Sequence, residues 1–331
     1  MNLLVIGGTQ FVGRAMVEEA VSRGHQVTVF HRGQTNPGLF ANQPLVKEIL
    51  GDRKVSLEAL STGTWDAVID SVGYEPPTVK KSCEALKGRI GKYAFISTIS
   101  VYGMDNPDED SPVLQLPEGA SVEQFELETY GALKALCEQE LEKAFPGALN
   151  MRIGLEIGPK DHSDRFNDWV DRIRTRDKVM VPGGTPMMWQ AIDVRDTARF
   201  TLDMIEKGGS GTYNVTGEAL PMPQALDQIR SIANPSCEFV TVDPDWMLEQ
   251  GITPWEEYTL WIPESEWGQF PLVAKIDRAL AAGMKLRPRE ESIRDIVAVQ
   301  VTLDPARKRI RGLSKEKEDA LLAKAMEATT A

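Results

Sequence analysis

The sequence predicts an α/β fold built on a doubly wound parallel sheet, and three observations carry that expectation. Short apolar runs alternate with helix-period stripes through the first half of the chain, the pattern of parallel strands joined by right-handed helical crossovers. The first apolar run, residues 3–6, breaks into Gly7-Gly8-Thr9-Gln10-Phe11-Val12-Gly13 and passes at once into a helical stripe. A chain of 331 residues is long enough to bury a large core.

Each element follows from its own residues. Leu3-Leu-Val-Ile6 has no polar position, as expected of a strand covered on both faces. Residues 11–23 place Val12, Ala15, Met16, Ala20 and Val21 on one helical stripe. Residues 26–31 form the second strand, closed by Arg32-Gly33, and a loop with Pro37, Gly38 and Pro44 leads to a third at 46–50. Strands at 67–70 and 93–97 flank a helix at 77–86. An acidic, proline-containing loop at 105–118 precedes a long helix expected over 122–145, and residues 149–153 make the sixth strand.

Beyond Glu156 the pattern loosens. Short strands at 179–182, 212–215 and 238–242 mix with helices at 165–174, 197–205 and 223–232, and an amphipathic helix closes the chain at 314–328. The expected division is residues 1–155 and a smaller α/β substrate lobe at 156–331, with some later segments returning to the first domain.

The formal charge of −12 disfavours nucleic acid and anionic membranes as partners and leaves a small molecule as the expected one. No apolar stretch approaches the length of a membrane span. Cys83, Cys137 and Cys237 are widely spaced without a metal-ligand pattern, so a reduced, cytoplasmic, metal-free protein is expected.

The glycine turn sits between strand and helix, where helix N–H groups can hold a dinucleotide pyrophosphate. Gly7 and Gly13 allow the sharp turn and the close helix–strand contact. A carboxylate at the end of the second strand would bind the adenosine ribose, but this chain has His31-Arg32 there. Arg32, with Arg14 nearby, suits a 2′-phosphate, so NADP(H) is favoured over NAD(H). Asp52 offers an acceptor to the adenine amino group, or simply forms a turn. Tyr130 and Lys134 stand one helical turn apart on one face. An ammonium beside a phenol favours the phenolate and makes tyrosine a usable acid or base. Ser97, Thr98 and Ser100 bring hydroxyls to the end of the fifth strand.

Gly7-Gly-Thr-x-Phe-Val-Gly13, Ser97-Thr98-x-Ser-Val-Tyr-Gly103 and Tyr130-x-x-x-Lys134, in this order, resemble the extended short-chain dehydrogenase/reductase superfamily. The nearer resemblance is to its NAD-dependent epimerase/dehydratase branch, extended by Arg152-Ile-Gly-Leu-Glu-Ile-Gly158-Pro159, Ile192-Asp193-Val-Arg-Asp196 and Gly211-Thr-Tyr-Asn214-Val. The resemblance implies a Rossmann-type first domain. It makes Thr98 the catalytic Ser/Thr, Tyr130 the general acid/base and Lys134 the holder of the nicotinamide ribose. Its cofactor contacts are Gly7, Thr9, Gln10, Phe11, Val12, Gly13, His31, Arg32, Asp52, Ser97, Tyr130 and Lys134.

Two departures stand out. Gln10 replaces the usual middle glycine, as in atypical members. Ile99-Ser100 follows Thr98 where sugar-nucleotide 4,6-dehydratases carry Asp-Glu, which argues against that reaction. The implied function is an NAD(P)-dependent oxidoreductase on a carbonyl or secondary alcohol. A nucleotide-sugar epimerase and a non-catalytic NADP(H)-sensing or RNA-binding protein are the alternatives. Relatives often dimerise through the helix carrying the tyrosine, so a homodimer is open to this chain.

Substrate contacts are expected from Ser100 at the end of the fifth strand, from His162 in the loop at 158–166 and from Trp189 in the turn at 187–190. For His162 a solvated loop histidine competes with that role, and for Trp189 core and pocket stand level. Asp193 and Asp196 read as helix caps.

Overall fold

The computed structural model describes residues 1–267, 272–304, 307 and 309–330. The first half runs β1 (Asn2–Ile6), α1 (Phe11–Ser22), β2 (Gln26–His31), β3 (Val46–Leu50), β4 (Trp65–Asp70), α2 (Pro76–Leu86), β5 (Ile90–Thr98), α3 (Tyr130–Ala144) and β6 (Leu149–Ile153). The second half runs β7 (Leu155–Ile157), α4 (Arg165–Thr175), β8 (Lys178–Pro182), β9 (Met188–Asp193), α5 (Val194–Glu206), β10 (Gly211–Val215), β11 (Ala219–Pro221) and α6 (Met222–Ala233). It ends with β12 (Glu238–Val242), α7 (Pro244–Glu249), α8 (Asp277–Ala281), α9 (Arg289–Gln300) and α10 (Lys315–Thr330).

Seven parallel strands form the main sheet in the order β10-β6-β5-β4-β1-β2-β3. β1 lies between β2 and β4, so the winding reverses at its carboxyl end, which opens the crevice where such sheets bind ligands. The apolar reading of the first strand holds physically: Leu3, Leu4, Val5 and Ile6 are at most 1% exposed. Burial of each such side chain is worth about 1.5–3 kcal/mol. α1 packs with α5 on one face and α2 with α3 on the other. β10 and α5, from the second half of the sequence, are thus parts of the first layer structure.

The smaller lobe holds a three-stranded sheet β11-β9-β7, the pair β12-β8 and helices α4, α6 and α9. Phe166, Trp169, Trp189 and Tyr258 fill its core. α10 is held there by a fully buried ion pair, with Arg172 Nη2 donating to Glu318 Oε1 at 2.5 Å. No helix among the described residues is long and apolar enough to cross a membrane.

The helix expected over 122–145 begins only at Tyr130. Val122, Phe125 and Leu127 have the right spacing but are 40%, 47% and 73% exposed. So exposed, the amphipathic stripe gains too little from burial to order a helix.

Candidate active site

The glycine turn is shaped as a cradle. Gly7 and Gly8 adopt φ of 101° and 90°, a region that favours glycine. A Cβ on Gly13 would lie 2.6 Å from the Gly8 amide nitrogen, so only glycine lets α1 approach this closely. No side chain caps α1 and its first turn carries no acid. Its amide N–H groups therefore stay free for an anion, and these features fit a dinucleotide pyrophosphate. Phe11 enters the helix at φ 32° with its ring buried, and the exposed His162 ring meets it edge-on at 6.3 Å. His162 thus lies over the glycine turn.

At the end of β2 the two basic residues part company. Gly33 N–H donates to His31 Nδ1 at 3.1 Å, and His31 Nε2 faces Glu48 Oε1 at 3.0 Å. Both ring nitrogens are occupied, so the His31 side chain braces β2 against β3. Arg32 is exposed and has no ion pair among the described residues. Arg14 is paired with Glu18 at 2.7 Å. Asp52 accepts the Lys54 N–H at 2.9 Å, the turn-forming alternative, and keeps its second oxygen.

Thr98 ends β5 and caps the short turn that follows, accepting the Ser100 N–H at 3.1 Å and donating to Ser100 Oγ at 3.1 Å. The first turn of α3 docks on that turn, and Gly131 makes the approach possible. Tyr130 is thereby brought beside Thr98, whose hydroxyl favours the ionised phenol. Tyr74 and Phe125 flank the phenol, with ring centroids 6.5 Å and 5.6 Å away.

Lys134 is buried and donates to the carbonyls of Ile96 at 2.6 Å and Gly73 at 2.9 Å, with its ammonium 4.0 Å above the Phe95 ring. Burial lowers its pKa to about 8. Tyr130 is not made acidic, contrary to expectation. Desolvation, with Tyr74 adding to it, pushes the phenol up to about 12, against the pull of Thr98 and Arg165. The lysine charge is spent on carbonyls and a ring face, so the tyrosine stands as a protonated donor.

Two expected residues face away from the cleft. Ser97 Oγ donates to Glu138 Oε1 at 2.5 Å. Glu138 also receives Arg152 Nη2 at 2.6 Å, Arg152 Nη1 donates to Tyr102 at 2.6 Å, and Tyr102 donates to Asn214 Oδ1 at 2.8 Å. This buried network ties β5, α3, β6 and β10 beneath Thr98. Trp189 is 4% exposed, donates its indole N–H to Leu260 O at 2.7 Å and packs edge-on against Trp169. It belongs to the lobe core, because the turn expected at 187–190 is instead the start of β9. Asp193 caps α5 by accepting the Arg195 N–H at 2.9 Å, and Asp196 pairs with Arg287.

Sequence reasoning missed Tyr74 and Phe125, which flank the phenol. Only Glu138 carried a signal, lying one turn beyond Lys134 on the same face of α3.

The profile of the NAD dependent epimerase/dehydratase family matches residues 3–216. Two curated relatives are similar to the chain. The 41-kDa chloroplast stem-loop binding protein b of Arabidopsis thaliana is 26% identical over 236 residues, 66% of this chain and 59% of that protein. The 2-alkyl-3-oxoalkanoate reductase of Stenotrophomonas maltophilia strain K279a is 27% identical over 254 residues, 69% of this chain and 74% of that one. Among solved structures, the fold is shared with WbmH of Bordetella bronchiseptica in complex with NAD+ (TM-score 0.67, 16% identity, 91% of this chain and 98% of that one). It is shared equally with the UDP-N-acetylglucosamine 4-epimerase of Bacillus cereus (TM-score 0.65, 16% identity, 93% and 99%). The glycine cradle, the doubly wound sheet and the matched segment agree: the chain belongs to the NAD dependent epimerase/dehydratase family.

Proposed function

We propose that the chain is an NADP(H)-linked oxidoreductase that reduces a carbonyl to a secondary alcohol. The observation that carries this reading is the docking of α3 on the end of β5, which sets Tyr130 beside Thr98 at the carboxyl edge of the sheet. Bound nicotinamide supplies hydride to the carbonyl carbon. Tyr130, protonated at neutral pH, hands its proton to the carbonyl oxygen, and the Thr98 hydroxyl donates to that oxygen and orients it. Lys134 keeps a positive charge beneath the site and ties the loop after β4 to β5. Gly7, Gly13 and the free amides of α1 hold the pyrophosphate, and unpaired Arg32 takes the 2′-phosphate.

The substrate class to try first is the 2-alkyl-3-oxoalkanoates, because one curated relative carries that activity in its name. The other relative is named for binding a stem-loop, but a charge of −12 opposes association with a phosphodiester backbone. Free, buried Cys83, Cys137 and Cys237 suit a reducing compartment such as the cytoplasm.

The test is NADPH consumption with 2-alkyl-3-oxoalkanoates, run beside UDP-sugar epimerisation without added cofactor and a stem-loop RNA shift at moderate salt. Reduction alone supports the reading. Epimerisation or RNA binding without reduction overturns it.

A further inference from the structure

The segment that follows β4 runs across the active site. Ser71 and Val72 abut the glycine turn: a Cβ on Gly7 would lie 2.4 Å from Ser71 Oγ and 2.9 Å from Val72 Cγ1. Gly73 gives its carbonyl to the Lys134 ammonium at 2.9 Å. Tyr74 then sets its ring 6.5 Å from that of Tyr130. β4 stands between β1 and β5 in the sheet, so this segment leaves it between the cofactor cradle and Thr98.

Phe125 reaches the same place from the segment before α3. Its ring meets Tyr74 at 5.8 Å and Tyr130 at 5.6 Å, edge-on to both. The Lys134 ammonium stands 5.5 Å from the centre of the Tyr74 ring. Three rings and a cation thus pack together around one proton donor.

The packing is incomplete on the outer side. Tyr74 and Phe125 are 41% and 47% exposed. Two large rings open to water beside a general acid form an apolar surface that invites a cover, and proton transfer to a substrate gains when water is excluded. The shape of the surface narrows what covers it. Phe125 stands at 73° to Tyr74 and 71° to Tyr130. Rings at such angles make a notch, whereas a base or a sugar ring stacks on a flat face. A flexible run of methylenes fits a notch.

We propose that Tyr74 and Phe125 form the subsite for an alkyl arm of the substrate, joined to the carbonyl carbon whose oxygen rests on Tyr130, and that they select substrates by the length of that arm. This rests on the reading of Tyr130 as proton donor to a carbonyl.

Redox-inert amides separate the two ideas. Calorimetry on NADP+-saturated protein compares butanamide, hexanamide and octanamide in the wild type, Phe125→Gln, Phe125→Leu and Tyr74→Gln. NADP+ affinity checks that each variant is folded. The expected result is an affinity that rises about 4-fold per added methylene, the scale of its burial. The rise flattens in Phe125→Gln and Tyr74→Gln and largely persists in Phe125→Leu, which keeps an apolar surface. Equal affinities across the series in the wild type, no binding of any amide, or an unchanged rise in both glutamine variants overturns the proposal. So does loss of UDP-N-acetylglucosamine binding in Phe125→Gln without an effect of chain length, which would make the rings a sugar-stacking face. NADPH consumption with 3-oxohexanoate, 3-oxooctanoate and 3-oxodecanoate completes the set. Absence of turnover with the length-dependent binding intact removes the reductase reading and leaves the alkyl subsite standing.

Discussion

Gly131 lies so close to Ser100 that a Cβ on it would sit 1.9 Å from the Ser100 carbonyl oxygen. That contact seats the first turn of α3 on the end of β5, and it sets the distance between Tyr130 and Thr98. Gly131→Ala must push the helix away. Overpacking of this kind costs about 1–3 kcal/mol, and turnover should fall while NADPH binding at the glycine turn survives. Urea unfolding and steady-state kinetics check both. Unchanged turnover in a folded variant would show that the close approach does not position the phenol.

Tyr130→Phe removes the proton donor and leaves the ring packed between Tyr74 and Phe125. Turnover should drop by at least ~100-fold, the scale of a lost general acid, with cofactor affinity kept. Wild-type turnover in the variant excludes Tyr130 from the chemistry.

Arg32→Ala should weaken NADPH by about 10-fold, as expected for one charge-assisted phosphate contact, and leave NADH unchanged. Calorimetry with both cofactors decides. A wild-type preference for NADH, or equal loss for the two, contradicts the assignment of Arg32 to the 2′-phosphate.

Lys134 loses its proton near pH 8, below the ordinary lysine range, because burial disfavours its charge. Tyr130, at about 12, stays protonated across the same interval. The charged lysine is the competent form, so kcat/KM for reduction should be level below that value and fall as pH rises through it. Lys134→Arg, whose cation does not titrate there, should remove the descent. A descent that persists in the arginine variant assigns it to another group.

Trp189→Ala should act on stability rather than on the site. Removing a buried indole costs about 3–5 kcal/mol, read as a lower urea midpoint with NADPH affinity unchanged. A fully stable variant with weakened substrate binding would return Trp189 to the pocket.

Much of this was legible in the sequence, and the reasons differ by region. β2, β3, β6 and β12 lie over the residues the sequence assigns to them, although only β2 and β6 are largely buried and β3 is a half-exposed edge strand. The glycine turn and the pair Tyr130/Lys134 were readable because their spacing is local. β9 was hidden: Met188-Trp-Gln-Ala-Ile-Asp193 follows a Pro-Gly-Gly loop, and only pairing with β7 and β11 makes it a strand. The start of α3 was overrun for the converse reason, since Val122, Phe125 and Leu127 carry a helical stripe that stays largely exposed. Tyr74 and Phe125 come from distant segments, and no spacing in one sequence announces that they meet beside Tyr130.

The central claim is hydride delivery to a carbonyl with the proton drawn from Tyr130. It is tested most directly by incubating the protein with NADPH deuterated at the transferable position and a 2-alkyl-3-oxoalkanoate, then locating the label by mass spectrometry. The account predicts one deuterium on the former carbonyl carbon of the alcohol for each NADPH consumed, and almost none in Tyr130→Phe. Unlabelled product, or a UDP-sugar epimerised with no NADPH consumed, would contradict it.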